Sequence, residues 1–248
     1  MTNLIVANWK MHGTIGDTLK RLTEFRFKLA ETTGLEIVFA LPFTTLYSAH
    51  IALQETDFKT AGQDLYWELE GAYTGEIAGS FLKEAGCQYV LIAHSERRRL
   101  FGETDETANK KVRAALMQEL IPILCIGETV EERNAGQAME VLERQLKRAL
   151  QEIAMTDLKH FVIAYEPVWA IGTGNNATVE QVGEVHSFIR NTLAKIYDAP
   201  TADQVRIIYG GSVKPDNAKE LLRVKNVEGL LVGGASLVVD QFIKICQR

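Results

Sequence analysis

The chain has 248 residues, 46% of them apolar, which suffices for one large core and is unlike a fibre, a repeat array or a disordered tail. Its 27 basic and 32 acidic residues give a net charge of -5, with Arg97-Arg98-Arg99 as the only compact basic run, so nucleic acid is not the expected partner. The start, Met1 to Ala7, lacks a charged leader region, no apolar segment approaches membrane-spanning length, and no linker composition interrupts the chain; a single cytoplasmic domain over residues 1–248 is expected.

The first apolar run, Leu4 to Ala7, leads into Asn8-Trp9-Lys10-Met11-His12-Gly13 instead of the glycine-rich turn of a dinucleotide-binding sheet. Further runs follow at Ile37 to Leu41, Phe58 to Ala61, Tyr89 to Ala93, Ile121 to Ile126, Phe161 to Ala164, Val205 to Tyr209 and Leu230 to Val232. Most are continuously apolar, as expected of parallel strands covered on both faces. Between them, Ala108, Val112, Ala115 and Leu116 fall on one helical face, as do Leu142, Leu146, Ala149 and Ile153. A third stripe runs through Val182, His186, Ile189, Leu193 and Ile196, and Thr178 with Gln181 forms a capping box at its start. On that stripe His186 reads as a packed, hydrogen-bonded core histidine. Eight alternations of strand and helix in this length predict an α/β fold, a closed (β/α)8 barrel of parallel strands inside a ring of helices. An open doubly wound sheet is the alternative.

The distinctive polar and glycine positions all follow strands: Asn8 and Lys10, His94, Glu166, Gly210-Gly211-Ser212, and Gly233-Gly234. In a parallel barrel these ends converge on one face and can surround one small substrate. Glu166 ends an apolar run and opens at once into Pro167-Val168-Trp169-Ala170-Ile171-Gly172-Thr173-Gly174, so it reads as a partly desolvated base beside a hinged lid. An ordinary strand-end carboxylate is the competing reading; His94 can likewise be a strand-end histidine satisfied by neighbours, and Lys10 a surface lysine. Gly172, Ser212, Gly233 and Gly234 can present backbone N–H groups to a phosphate, or can simply be residues of tight turns. Cys87, Cys125 and Cys246 form no C-x-x-C pair and their odd number argues against a disulfide framework, while the five histidines show no metal-ligand spacing.

Asn8-Trp9-Lys10, Ala93 to Arg98, Cys125-Ile126-Gly127-Glu128-Thr129, Ala164 to Gly174, Tyr209 to Val213 and Val232 to Leu237 occur in this order over essentially the whole chain and resemble the signature segments of the triosephosphate isomerase family. The resemblance implies a TIM barrel that interconverts dihydroxyacetone phosphate and glyceraldehyde 3-phosphate through an enediolate, in glycolysis and gluconeogenesis, without metal or organic cofactor. It implies Glu166 as the base, with His94, Lys10 and Asn8 as donors to the enediolate oxygens, His94 acting as a neutral imidazole. Glu96 would support the catalytic groups from behind. Gly172, Ser212, Gly233 and Gly234 would grip the phosphate. A homodimer formed through the loop from Gln63 to Glu76, with Tyr73-Thr74-Gly75 at its tip, is implied as well. His12 and Asn175-Asn176 depart from the common family pattern, as do Asp64 and Leu69 within the loop; these bear on lid and subunit contact, not on the reaction. Two other readings fit the same barrel: an isomerase of a larger phosphorylated sugar, and a catalytically silent phosphate-binding or interaction protein.

Overall fold

Along most strands both odd and even residues are apolar, and the computed structural model shows where each set goes. The structure describes residues 2–30, 34–171 and 176–247. Eight strands, β1 (Asn3–Asn8), β2 (Leu35–Leu41), β3 (Lys59–Gly62), β4 (Tyr89–Ile92), β5 (Ile121–Ile126), β6 (Val162–Tyr165), β7 (Arg206–Tyr209) and β8 (Gly229–Val232), pair in sequence order into a closed barrel. Every pairing is parallel, and β8 closes on β1 with Leu4 opposite Gly229 and Ala7 opposite Val232. Closure excludes the open sheet.

One residue set fills the barrel interior: Leu4, Val6, Val38, Ala40, Ala61, Leu91, Ile123, Cys125, Val162, Ala164, Ile208 and Leu231 form a cluster of their own. The alternate residues, among them Ile5, Phe39, Ile92, Leu124, Ile163 and Ile207, join the second and larger cluster, between strands and helices. Period-two alternation therefore exists geometrically, but it separates two apolar environments and leaves no polar face in the sequence. At the N-terminal end the interior is plugged by Glu36, which accepts from Tyr89 Oη at 2.5 Å and Lys59 Nζ at 2.7 Å and pairs with Arg206. Burial pushes this carboxyl up, but the three donors override it and bring its pKa down to about 2.

The helical stripes fall in Asp105–Met117, Ala138–Ala149 and Val179–Ile196, and the Thr178–Gln181 capping box is formed. Ile153 is buried but lies beyond the end of its helix, packing from the following turn. The third strand is shifted by one residue from the apolar run: Phe58 precedes it and packs edge-on against Phe39 at 5.7 Å. No helix among the described residues is long and apolar enough to cross a membrane.

Candidate active site

All the strand ends that carry distinctive residues open into one cavity of about 780 Å³. Asn8, Lys10, His94, Glu166, Ser212, Gly233 and Gly234 line it, brought together from five strands. Gly172 lies outside the described residues, as do Thr173, Gly174 and Asn175 of the expected lid. Cys87 and Cys125 are buried free thiols, and Cys246 is buried too. Among the described residues no cluster of His, Cys, Asp or Glu is arranged to hold a metal ion.

Glu166 is buried and both its oxygens are engaged. Oε1 lies 2.9 Å from His94 Nε2, and Oε2 accepts the Ser95 N–H at 2.8 Å. Two glycines make room for this seat. A Cβ on Gly127 would lie 1.7 Å from the Glu166 carbonyl oxygen, so that position admits the Glu166 backbone only without a side chain, and one on Gly210 would crowd Glu166 Cγ at 3.0 Å. Burial raises the Glu166 pKa, as the sequence suggests. The attraction of His94, the bonds from His94 and Ser95 and the charge of Lys10 outweigh it, so in this seat the carboxyl is held below its ordinary value and is ionised.

His94 caps the helix Ser95–Phe101, and its Nδ1 accepts the Glu96 N–H at 3.2 Å. An amide that donates to Nδ1 leaves the ring proton on Nε2, where it faces Glu166. Burial opposes charge on the ring while the adjacent carboxylate favours it, and with Glu166 resting against it the balance draws the His94 pKa upward. Separation from Glu166 ends that pull and leaves burial, the Lys10 charge and the Glu96 amide favouring the neutral imidazole, against the Glu96 carboxylate 3.7 Å from Nδ1.

Lys10 adopts a positive φ of 52°, costly for a residue with a side chain, and the conformation is held from both sides. Its N–H donates to Asn8 Oδ1 at 3.0 Å, and its carbonyl accepts from Gln63 Nε2 at 2.8 Å. The ammonium reaches Glu96 Oε1 at 2.6 Å, which places Glu96 as the group that fixes Lys10 at the cavity wall. A Cβ on Gly233 would lie 3.5 Å from Lys10 Cε, so the glycine just after β8 and the lysine face the same space. Gly234–Leu237 form a short helical turn after β8. His12 also lines the cavity.

Three functional contacts were not legible in the sequence. Glu128 is fully buried, and its Oε1 accepts from Trp169 Nε1 at 2.8 Å, Arg133 Nη1 at 2.9 Å and Tyr165 Oη at 3.1 Å. It thereby holds Trp169 at the near end of the expected lid, and an indole N–H inside an apolar loop was the only hint that an acceptor was needed. Tyr209 meets the backbone of Ala177, past the far end, through its hydroxyl. Gln63, quoted only as the start of a loop, holds Lys10.

The triosephosphate isomerase family model matches residues 3–248. This chain belongs to the triosephosphate isomerase family. It is 48% identical to the triosephosphate isomerase of Geotalea uraniireducens over 242 residues, 98% of this chain and 96% of that one. It is also 48% identical to that of Alkaliphilus metalliredigens over 98% of this chain and 97% of the relative. The crystal structure of triosephosphate isomerase from Bartonella henselae superposes with a TM-score of 0.90 at 38% identity, covering 100% of this chain and 98% of that one.

Proposed function

We propose that this chain interconverts dihydroxyacetone phosphate and D-glyceraldehyde 3-phosphate, in glycolysis and gluconeogenesis, with Glu166 as the base. The observation that carries the reading is the seat of Glu166: an ionised, water-shielded carboxylate on the rim of a cavity that also presents His94 Nε2 and Lys10. Both its oxygens are occupied, so it rotates off Ser95 and His94 before it reaches substrate. Leaving those donors removes the bonds that depress its pKa and makes it a stronger base. It then takes a proton from the carbon beside the carbonyl, and the C–H electron pair moves into the enediolate. His94 Nε2–H and the Lys10 ammonium donate to the oxygens where negative charge collects, with Asn8 alongside. A proton passes from one enediolate oxygen to the other by way of His94 Nε2, and Glu166 returns its own proton to the neighbouring carbon, completing the exchange of aldehyde and ketone.

Phosphate is held by backbone N–H groups at Ser212, Gly233 and Gly234, with Gly172 of the lid as the remaining donor on sequence grounds. Nothing in this proton exchange calls for a metal or organic cofactor. The enzyme is cytoplasmic and works as a homodimer through the loop around Tyr73, Thr74 and Gly75. Tyr66 stacks there on Trp67 at 4.1 Å and lies 4.6 Å from Tyr73, stiffening a loop whose Leu69 and Tyr73 stay exposed to meet a partner. Sedimentation equilibrium should give twice the 27.7 kDa chain mass.

A coupled isomerisation assay on the purified protein tests the activity, and Glu166→Gln tests the site. The amide keeps the shape and phosphate binding but cannot accept the proton, so kcat should fall by about 10²- to 10⁴-fold. Near-normal turnover in that variant refutes the assignment.

A further inference from the structure

Behind the site lies a closed ring of four charged side chains that the mechanism does not use. Lys111 Nζ, buried on the helix Asp105–Met117, sits 2.6 Å from Asp64 Oδ1 and 2.5 Å from Glu103 Oε1. Arg97, on the helix Ser95–Phe101, closes the ring with Nη2 at 2.8 Å from Asp64 Oδ2 and Nε at 2.5 Å from Glu103 Oε1. Two cations balance two carboxylates. Asp64, Glu103 and Lys111 are shielded from water, and Arg97 forms the partly exposed rim.

The ring is joined to the chemistry on two sides. Arg97 lies on the same short helix as Ser95, whose N–H seats Glu166, and as Glu96, which pairs with Lys10, and His94 caps that helix. Asp64 is bonded in sequence to Gln63, whose amide donates both to the carbonyl of strained Lys10 at 2.8 Å and to that of Ala40 at 3.1 Å. The dipeptide Gln63-Asp64 therefore spans from the Lys10 side of the cavity to the His94 side. We propose that Asp64 is a positioning residue for the isomerisation, its carboxylate tying the helix capped by His94 to the peptide that holds Lys10. The inference rests on the roles proposed above for His94 and Lys10, which the Glu166 and His94 variants test separately.

The link is sensitive to protonation. Burial raises the Asp64 pKa and neighbouring Glu103 adds to it, while Lys111 and Arg97 oppose them, leaving Asp64 at about 6. The charged groups facing it are Lys111 from one helix, Arg97 from another and Glu103 from the segment between them. A carboxyl raised above its ordinary value of 3.8 binds its proton more readily folded than unfolded. This group therefore does not destabilise the fold as pH drops from neutrality to 5. The link slackens over that range while the fold keeps its contribution, which separates positioning from mere stability.

The test is Asp64→Asn, which fixes the uncharged state without changing shape. Saturating kcat and KM should be measured for wild type and variant from pH 5 to 8 at one protein concentration, with the thermal midpoint at each pH. At pH 8 the variant's kcat should be about tenfold lower with KM within about twofold, the scale on which misplacement of catalytic groups acts. The wild-type to variant kcat ratio should then fall towards one at pH 5, where wild-type Asp64 carries a proton too, and the midpoints should coincide there. Taking the ratio cancels the ionisation of substrate phosphate, which is common to both proteins. A ratio of one at every pH, or a loss that appears in KM and not in kcat, overturns the proposal. If Asp64→Asn does not fold, Arg97→Lys keeps the charge on the rim but breaks the two-point bridge; it should lower kcat at pH 8 with KM unchanged, and a wild-type kcat overturns the proposal.

Discussion

Replacing His186 by Gln should change how the protein responds to acid more than how it behaves at neutrality. His186 is fully buried on the helix Val179–Ile196, between the rings of Tyr165 at 6.0 Å and Tyr209 at 6.5 Å. Its Nδ1 lies 2.9 Å from the carbonyl oxygen of Asn226, which can only accept, so Nδ1 carries the proton and Nε2 is the nitrogen that would gain one in acid. Burial opposes that charge most strongly, Asn226 supports it and nearby Arg190 opposes it, so the pKa is lowered from 6.5 to about 4. Between pH 6.5 and 4 the unfolded chain therefore binds a proton that the folded chain refuses, and stability is lost as pH falls through this window, levelling off below about pH 4. A depression of this size corresponds to about 3 kcal/mol. Urea unfolding at pH 7, 6, 5 and 4, at a single protein concentration because association contributes, should show wild type losing about 3 kcal/mol more than His186→Gln across the window. At pH 7 the variant should be the less stable, by about 1 kcal/mol, if its amide keeps the bond to Asn226 with poorer packing. Parallel pH–stability curves for the two proteins would refute the burial argument.

His94→Asn retains a donor but loses the imidazole, and should lower kcat more than it raises KM, because its bond strengthens on charge that develops in the transition state; a change confined to KM in steady-state kinetics would make His94 a binding residue instead. Trp169→Phe removes one of the three donors to Glu128 Oε1 and should cost about 1 kcal/mol in urea unfolding together with a several-fold loss of kcat, as the near end of the lid loosens. Stability loss with unaltered kinetics would mean that the clamp serves the fold alone. Gly210→Ala places a methyl 3.0 Å from Glu166 Cγ and should reduce kcat far more than it shifts the thermal midpoint; equal turnover would show that Glu166 does not need that space to move.

Much of this architecture is written in local sequence. The length and eight apolar runs bounded by helical stripes lead to a barrel, because each strand has to be apolar on the face turned to the interior and on the face turned to a helix. Strand ends were equally legible, since polar and glycine residues that break an apolar run fall where chain leaves sheet: Asn8, His94, Glu166 and Gly233 are all such positions. The core role of His186 followed from its place on an apolar stripe. Only the tertiary structure decided which of these groups touch. Glu166 and His94 are 72 residues apart in sequence and 2.9 Å apart in space, and that proximity, with the Ser95 amide, reverses the upward pKa shift that burial alone implies. Glu128, Gln63 and Asp64 carry no local mark of their roles either, because each acts through a partner supplied by another strand or helix. Periodicity reports the environment a residue needs; the partners that set its charge and orientation are chosen by barrel closure, which brings eight separate loops to one rim.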